Sequence, residues 1–359
     1  MSVHFEKIRI KQLKKETPDC VSIVFDIPQE LQEKFFYKHG QHLTMRTFID
    51  GEEIRRSYSL CSSPLENEWR VAVKKAEGGL FSSYVNTVLK TGDILEVMPP
   101  LGHFYTEVDP AHKKSYVAFA AGSGITPVLS IIKTVLSTEP NSSFTLIYGN
   151  RNRTSIIFRE QLEALKNKYI DRFSLIHVLS REMTDAAINH GRIDATKCTL
   201  LFQKVADINA DEFFICGPEE MIFAVKDFLQ KQGVEEKKIH FELFTTPGIN
   251  QKIKTKTKKQ EQGEKAKSQV TARLDGIMFG FEADYDGDAI LDAALKQGAD
   301  LPYSCKGGMC CTCKAKLLEG EVEMDVHYGL EAEEIEQGFI LTCQSHPKTE
   351  KVVIDFDIK

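Results

Sequence analysis

This chain has no run of residues long and apolar enough to read as a membrane span, and no excess of lysine and arginine to mark a nucleic-acid binder. The one tempting apolar stretch, Tyr116 to Leu136, carries Gly, Ser, Thr and Pro in its middle, which suits a strand, a turn and a helix. The opening "MSVHFEKIRIKQLKK" has charges where an export leader needs an apolar run, so a soluble, cytoplasmic protein is expected. Motifs for hard catalysis are missing too. There is no H-E-x-x-H and no P-loop, and none of the ten histidines follows a glutamate by three residues, as di-iron helices require. Any oxygen chemistry therefore belongs to another protein. The nine cysteines are unevenly spread over 359 residues, unlike a secreted disulfide framework.

What is present divides unevenly. A chain of this length is expected to form two or three domains. Up to about residue 110, short alternating runs such as "SIVFDI", "HLTMRTF" and "WRVAVKK" lie between turn signals, the pattern of an antiparallel β-barrel. From 111 to 246 the rhythm becomes apolar strand and then helix. The strands are "YVAFAA", "FTLIYGN", "FSLIHVLS", "EFFICGP" and "IHFELF", and helices are expected over 127–137, 155–169 and 219–231. That is an α/β domain built on a parallel sheet. Residues 247–268 are lysine-rich, lack aromatics and read as a flexible basic linker. The remaining module, 269–359, holds 18 Asp and Glu against 8 Lys and Arg, a net −10, which leaves +4 on the rest of a chain whose total is −6.

The acidic module contains the densest chemistry. Cys305, Cys310 and Cys313 are spaced C-x4-C-x2-C, and Cys343 follows in "FILTCQSHP". Four thiolates so spaced are the plant-type signature of a [2Fe–2S] cluster. Gly307 and Gly308 would let backbone N–H groups approach the sulfurs. A structural zinc site and a set of free thiols are the alternatives, although zinc usually takes two short knuckles. Cys311 falls outside the register.

Two further groups of residues suit nucleotides. In "RRSYSLCSSP", Arg56 could clamp a pyrophosphate, Tyr58 could stack on a planar ring and Ser59 could hydrogen-bond a ring nitrogen. Gly79, Leu80, Phe81 and Ser82 lead into a helix whose N-terminal N–H groups suit the same pyrophosphate. Gly122, Gly124, Thr126 and Pro127 form G-x-G-x-x-P directly after a strand, with the proline read at the first helical position and the third glycine of the dinucleotide motif missing. Cys216, Gly217 and Pro218 repeat the strand–turn–helix; by physics alone Cys216 is equally a buried packing thiol. Ser180 and Arg181 after the third parallel strand could hold a ribose 2′-phosphate, or be a solvated loop; Arg151 and Arg153 are weaker candidates.

In this order the motifs resemble the ferredoxin–NADP reductase superfamily with a plant-type ferredoxin fused at the C-terminus. The segments "HFELFTTP", "LSRE" and "SCKGGMCCTCKAKLLEGEVEMD" are most similar to the reductase subunits of phenylacetyl-CoA epoxidases. Reductases of ring- and steroid-hydroxylating oxygenases share the layout. The resemblance implies a flavin barrel, a nucleotide domain and a β-grasp ferredoxin domain. It implies FAD held by Arg56, Tyr58, Ser59 and the 79–82 turn, and NADPH (with NADH possible) along Gly122, Gly124 and Cys216 to Pro218. Glu242 and Phe244 would lie near the flavin, with Tyr58, Ser59, Cys216 and Glu242 closest to the chemistry and the four cysteines ligating the cluster. The expected partner is an oxygenase component that takes up the electrons. A stand-alone NAD(P)H oxidase and a non-catalytic redox sensor are the competing readings.

Overall fold

The computed structural model describes residues 4–244 and 267–358. Six strands open the chain: β1 (Glu6–Thr17), β2 (Cys20–Asp26), β3 (His42–Ile49), β4 (Glu52–Ser59), β5 (Trp69–Lys74) and β6 (Ile94–Val97). They form one antiparallel sheet in the order β4-β3-β6-β1-β2-β5. Its two edges approach through a bridge between Leu60 and Val71, curling the sheet into a barrel. Strand alternation decides what fills it. Leu43, Met45 and Ile54 point inward with Ile8, Ile23, Val71 and Val97, all buried. The short helix α1 (Leu80–Thr87) caps the barrel with Phe81 and Val85.

The second sheet is parallel throughout, in the order β11-β10-β7-β8-β9. Its strands are β7 (Ser115–Ala121), β8 (Ser143–Asn150), β9 (Phe173–Leu179), β10 (Glu212–Gly217) and β11 (Ile239–Leu243), with helices α2 (Ile125–Thr138), α3 (Arg159–Lys168), α4 (Ala195–Lys204) and α5 (Glu219–Lys231). Both faces are buried, so the strands read as continuous apolar runs. Tyr116, Ala118 and Ala120 face one core, with α2; Val117 and Phe119 face the other, with α4 and α5.

Two expectations need correction, and a third residue gains a second role. The helix read over 155–169 begins only at Arg159, because Arg153–Ser155 closes a separate 3-10 turn and Phe158 turns left-handed at φ 60. Pro127 is the third helical residue rather than the first, since α2 starts at Ile125 straight after a 3-10 turn over Gly122–Gly124. It remains in the first turn, where no N–H is needed. Gly124 has a packing reason to be small beside the one inferred from the motif. A Cβ there would lie 2.1 Å from the Cys216 carbonyl oxygen, so this glycine lets the turn after β7 rest on the end of β10.

The third unit holds β12 (Lys267–Leu274), β13 (Ile277–Asp284), α6 (Ile290–Lys296), β14 (Lys314–Glu319), β15 (Val322–Met324), α7 (Ala332–Glu336), β16 (Phe339–Leu341), β17 (Ser345–Pro347) and β18 (Lys351–Asp355). Five strands form a mixed sheet, β13-β12-β18-β14-β16, with β12 and β18 parallel and α6 packed across it, the β-grasp arrangement. Lys267 and Ser268 belong to β12, where they pair with Asp284 and Ala283, so the last two residues assigned to the linker are strand. The rest of the lysine-rich segment lies outside the described residues.

The contact at Gly124 is directly testable. Gly124→Ala should cost about 2 kcal/mol, because the new methyl has only backbone to push against. Denaturant unfolding measures it, and a variant as stable as the parent would mean that the turn and strand end separate freely.

Candidate functional site

A cavity of about 320 Å³ lies where the three units meet. The barrel contributes Arg56, Tyr58 and Ser59 from β4, and the α1 turn adds Gly79, Leu80, Phe81 and Ser82. The nucleotide domain contributes Ser123, Thr126, Glu242 and Phe244. The third unit closes it with Cys305, Met309 and Cys310. The two motifs read separately in the sequence, R-x-Y-S and the cysteine loop, therefore line one space.

Each wall is fixed locally. Tyr58 stacks on Phe81, ring centroids 5.7 Å apart and 29° between planes, which anchors β4 to α1. Burial pushes the Tyr58 phenol well up. The Arg56 guanidinium donates to the Arg55 carbonyl at 2.7 Å, and among the described residues it meets no carboxylate. Helix α1 begins after Gly79 with no side chain capping it, which leaves its first N–H groups open to an anion. An uncommitted arginine, an uncapped helix start and a cavity walled by aromatic rings fit a flavin nucleotide. Ser82 lines the cavity and also pins the turn: its hydroxyl accepts from the Ala76 N–H at 3.0 Å and donates to the Gly79 carbonyl at 3.1 Å.

At the inner end, Ser59 donates to the Glu242 carboxylate at 2.9 Å. Glu242 is the register partner of Cys216 on the parallel sheet. Burial raises its carboxyl to about 7, against which the Ser59 hydrogen bond works downward. His42 Nδ1 stands 3.9 Å from Glu242. Burial holds this imidazole down at about 4, so at neutral pH the contact is no ion pair. Its Nε2 is buried without a partner.

The four thiols of the spacing motif sit as two pairs. Among the described residues no three His, Cys, Asp or Glu side chains close on a single point, as a mononuclear metal site would need. Instead Cys305 pairs with Cys310 and Cys313 with Cys343. Cys305 and Cys343 are held below the ordinary thiol value, first by hydrogen bonds from Cys310 and Cys313 and then by backbone N–H groups of Gly307, Met309 and Gly308. The Gly307 N–H lies 3.3 Å from the Cys305 sulfur and the Cys305 N–H 3.4 Å from the Cys310 sulfur. Two thiol pairs ringed by amide donors fit a two-iron cluster. Gly308, at φ 75, also makes room: a Cβ there would lie 2.6 Å from Val326. Cys311 takes a left-handed turn at φ 48, and burial lifts its thiol far above the usual value.

Other expected residues lie off this cavity. Gly122, Gly124, Pro127, Gly217 and Pro218 sit at the carboxyl end of the parallel sheet but do not line it. Cys216 is wholly buried in the core under α2, where burial pushes its thiol well up, so the packing reading describes its place here. Ser180 and Arg181 follow β9, joined through backbone bonds to Asn150 and Arg151. Sequence reasoning missed His42, Ser57, Lys74, Ser123 and Met309, all of which line the cavity. All five lay within stretches already singled out: Ser57 in "RRSYSLCSSP", Ser123 between Gly122 and Gly124, Met309 in the cysteine loop, and His42 and Lys74 in the alternating runs "HLTMRTF" and "WRVAVKK".

Comparison with known proteins follows the same three-part division. Residues 7–105 match the oxidoreductase FAD-binding domain, 119–227 the oxidoreductase NAD-binding domain and 273–348 the 2Fe-2S iron-sulfur cluster binding domain. One component of the 1,2-phenylacetyl-CoA epoxidase of Escherichia coli (strain K12) is 46% identical over 99% of this chain and 98% of its own. The chain belongs to the ferredoxin–NADP reductase superfamily, in the branch with a C-terminal [2Fe–2S] domain. The ferredoxin reductase component of 3-ketosteroid-9-alpha-monooxygenase from Rhodococcus rhodochrous is 34% identical over 97% of the chain and 96% of its own. Phthalate dioxygenase reductase has the same fold, with a TM-score of 0.59 at 24% identity over 98% of both chains. An intact type IV self-sufficient cytochrome P450 monooxygenase matches 98% of this chain at a TM-score of 0.68 and 22% identity, the match spanning 41% of that longer chain. This chain is thus an oxidoreductase that takes electrons from a nicotinamide nucleotide through FAD to a [2Fe–2S] centre. Among the described residues no helix is long and apolar enough to cross a membrane.

The Glu242 carboxyl gives a pH signature. A carboxyl whose folded pKa exceeds its unfolded value takes up a proton on folding. Its contribution is therefore full below about pH 4.5 and lost as pH rises through about 7. Against Glu242→Gln, the parent should lose roughly 3 kcal/mol between pH 4.5 and 8, at about 1.4 kcal/mol per unit. Unfolding of the flavin-free protein across that range measures the difference; parallel stability curves would contradict it.

Proposed function

We propose that this chain is the reductase component of an oxygenase system, working in the cytoplasm, and that its acceptor is an epoxidase acting on an aryl-acetyl-CoA thioester such as phenylacetyl-CoA. The observation that carries the reading is the shared cavity, in which the Tyr58 and Ser59 wall meets Cys305 and Cys310 with no intervening layer of protein. The substrate class rests on the 46% identity with the epoxidase component over the full length.

In this reading Arg56 and the first N–H groups of α1 hold the FAD pyrophosphate, and Tyr58 lies along the ring. The Ser59–Glu242 pair, with its carboxyl held near neutral by burial, could hold or give up a proton at the inner end of the cavity. Gly122, Ser123 and Thr126 face the nicotinamide nucleotide with the Cys216–Pro218 turn behind them. Cys305 and Cys310 hold one iron, Cys313 and Cys343 the other. When bound, FAD accepts a hydride and releases its electrons singly, and the cluster passes one at a time. The residues of this chain position those groups and keep water from the shared wall.

NADPH is the proposed donor. The guanidinium groups of Arg151 and Arg181 stand at the ends of neighbouring strands, and among the described residues neither meets a carboxylate. Arg153, by contrast, is engaged by Glu182 at 3.0 Å.

An anaerobic titration, followed by visible absorbance and electron paramagnetic resonance, tests the whole reading. NADPH should bleach a flavin and a two-iron cluster in a ratio of one flavin to two iron, and a preparation that binds no flavin would end the proposal. Arg181→Ala should lower the preference for NADPH over NADH by about tenfold, on the order of 1.4 kcal/mol, in kcat/KM. Cys311→Ser should keep the cluster spectrum and Cys310→Ser should destroy it; the reverse would mean that the ligand register is off by one.

A further inference from the structure

Strand β4 carries two consecutive arginines that do different work. Arg56 lines the cavity, while Arg55 points to the opposite face of the strand and toward the cysteine-bearing unit. Arg55 is only 5% exposed, an unusual state for a charged residue away from any bound ligand. Its charge is balanced within the barrel by Glu53, 2.7 Å from Nε, and Glu53 is also held by Arg46 at 3.2 Å. The guanidinium plane is thereby set before anything docks on it.

What docks is the segment that leads into the cluster loop. The Tyr303 ring lies under the Arg55 guanidinium at 4.0 Å, its hydroxyl donates to Glu53 at 3.2 Å, and Lys306 covers its other side at 4.7 Å. Asp300 adds a longer contact to Arg55 at 3.4 Å. The next residues continue in step. Ser304 meets Ser57 at 2.8 Å, Thr312 meets Thr44 at 3.4 Å, and Cys305 then reaches the cavity wall. Every barrel residue in this series lies on the one face of the β3–β4 pair, where Thr44 is opposite Ser57 and Arg46 opposite Arg55.

We propose that Arg55 is a positioning residue for electron transfer: by clamping Tyr303 against β4 it fixes the distance between the flavin edge and the Cys305–Cys310 side of the cluster. This rests on the functional reading above for the presence of both groups. Tunnelling falls exponentially with distance, so a loosened clamp slows that one step and leaves the step before it untouched. The guanidinium is suited to the task by its flat face, which stacks on a ring while its edge forks to a carboxylate, and lysine offers neither.

The test uses the full-length protein loaded with both groups. Arg55→Ala should leave flavin reduction by NADPH, and ferricyanide reduction directly from the flavin, within twofold of the parent. Flavin-to-cluster transfer in stopped flow, and cytochrome c reduction through the cluster, should fall tenfold or more. Hydrogen exchange over residues 299–313 should lose protection. Arg55→Lys should not restore the rate, whereas Tyr303→Phe, which keeps the ring, should stay near the parent. Tyr303→Leu, which leaves the barrel untouched, must reproduce the Arg55→Ala result and serves if that variant fails to fold. An unchanged ratio of cytochrome c to ferricyanide reduction in flavin-replete protein, or unchanged exchange over 299–313, overturns the proposal. Protein that binds no flavin would instead sink the reading on which it rests.

Discussion

The structure turns on the alternation of one strand. In a β-strand neighbouring side chains face opposite ways, so β4 can serve two neighbours at once. Ile54, Arg56 and Tyr58 lie on one face, and Arg55, Ser57 and Ser59 on the other, toward the cysteine unit and Glu242; the cavity at the end of the strand takes Arg56 and Tyr58 from the first face and Ser57 and Ser59 from the second. In the proposed function this one strand would hold one redox group through Arg56 and Tyr58 and set the distance to the other through Arg55. A shift of one residue in the pairing with β3 would exchange the two faces. The buried partners Leu43 and Met45 prevent it, because they would move from the barrel core to a polar interface. Ordinary core packing in the barrel is therefore what holds the two faces of β4 in place.

The same face ends at a buried carboxyl. Glu242 belongs to β11, the edge strand of a different sheet, yet it takes the Ser59 hydroxyl and stands beside His42. Burial favours its neutral form and keeps His42 uncharged. Neither group is thus a fixed charge near pH 7, next to the place where a flavin would gain charge. A fixed anion there would oppose that charge, whereas a carboxyl with a pKa near 7 can hold a proton or release it as the local charge demands.

How much of this could be read from the sequence depended on whether a group of residues was local. The cluster loop was legible because three of its four thiols fall within nine residues, and R-x-Y-S because it occupies one strand. Ser123 and Met309 stood inside motifs whose glycines and cysteines drew the attention, and His42 enters the cavity from the end of β3, away from any motif. Arg55 was visible and overlooked: the motif drew attention to Arg56, and the opposite face of the strand had no apparent purpose until the third unit was seen against it. Helix α4 could have been found from Asp194, whose side chain accepts from the Lys197 N–H as an N-cap, but its threonines weakened the helical pattern. Gly124 fitted a nucleotide motif so readily that its packing role against Cys216 was hidden.

The charge division acquires a structural meaning at the docked face. Among the described residues, the ion pairs between the body and the acidic unit share one sense. Arg55 meets Asp300, and His103 approaches Glu334 at 3.4 Å and His4 approaches Asp275 at 2.9 Å, contacts that carry charge only when the imidazole is protonated; the nitrogen group is always on the body and the carboxylate on the acidic unit. Asp300 is 84% exposed, so solvent screens its pair and the pair adds little to affinity. Hydroxyl pairs and one stacked guanidinium supply most of the remaining polar contact. Apolar contact is present but small: Phe223 meets Tyr328 with ring centroids 6.2 Å apart and Met309 packs against the nucleotide-domain core, so the interface is more polar than a shared core. The +4 outside the acidic unit comes from residues 247–268, whose seven lysines outnumber two glutamates, while residues 1–246 are close to neutral, so it is the Tyr303 clamp rather than net charge that sets the register. A strong apolar interface would give the same register but would hold the carrier in place. A unit that must also present its cluster to a separate acceptor is better served by contacts that are specific in geometry and modest in strength.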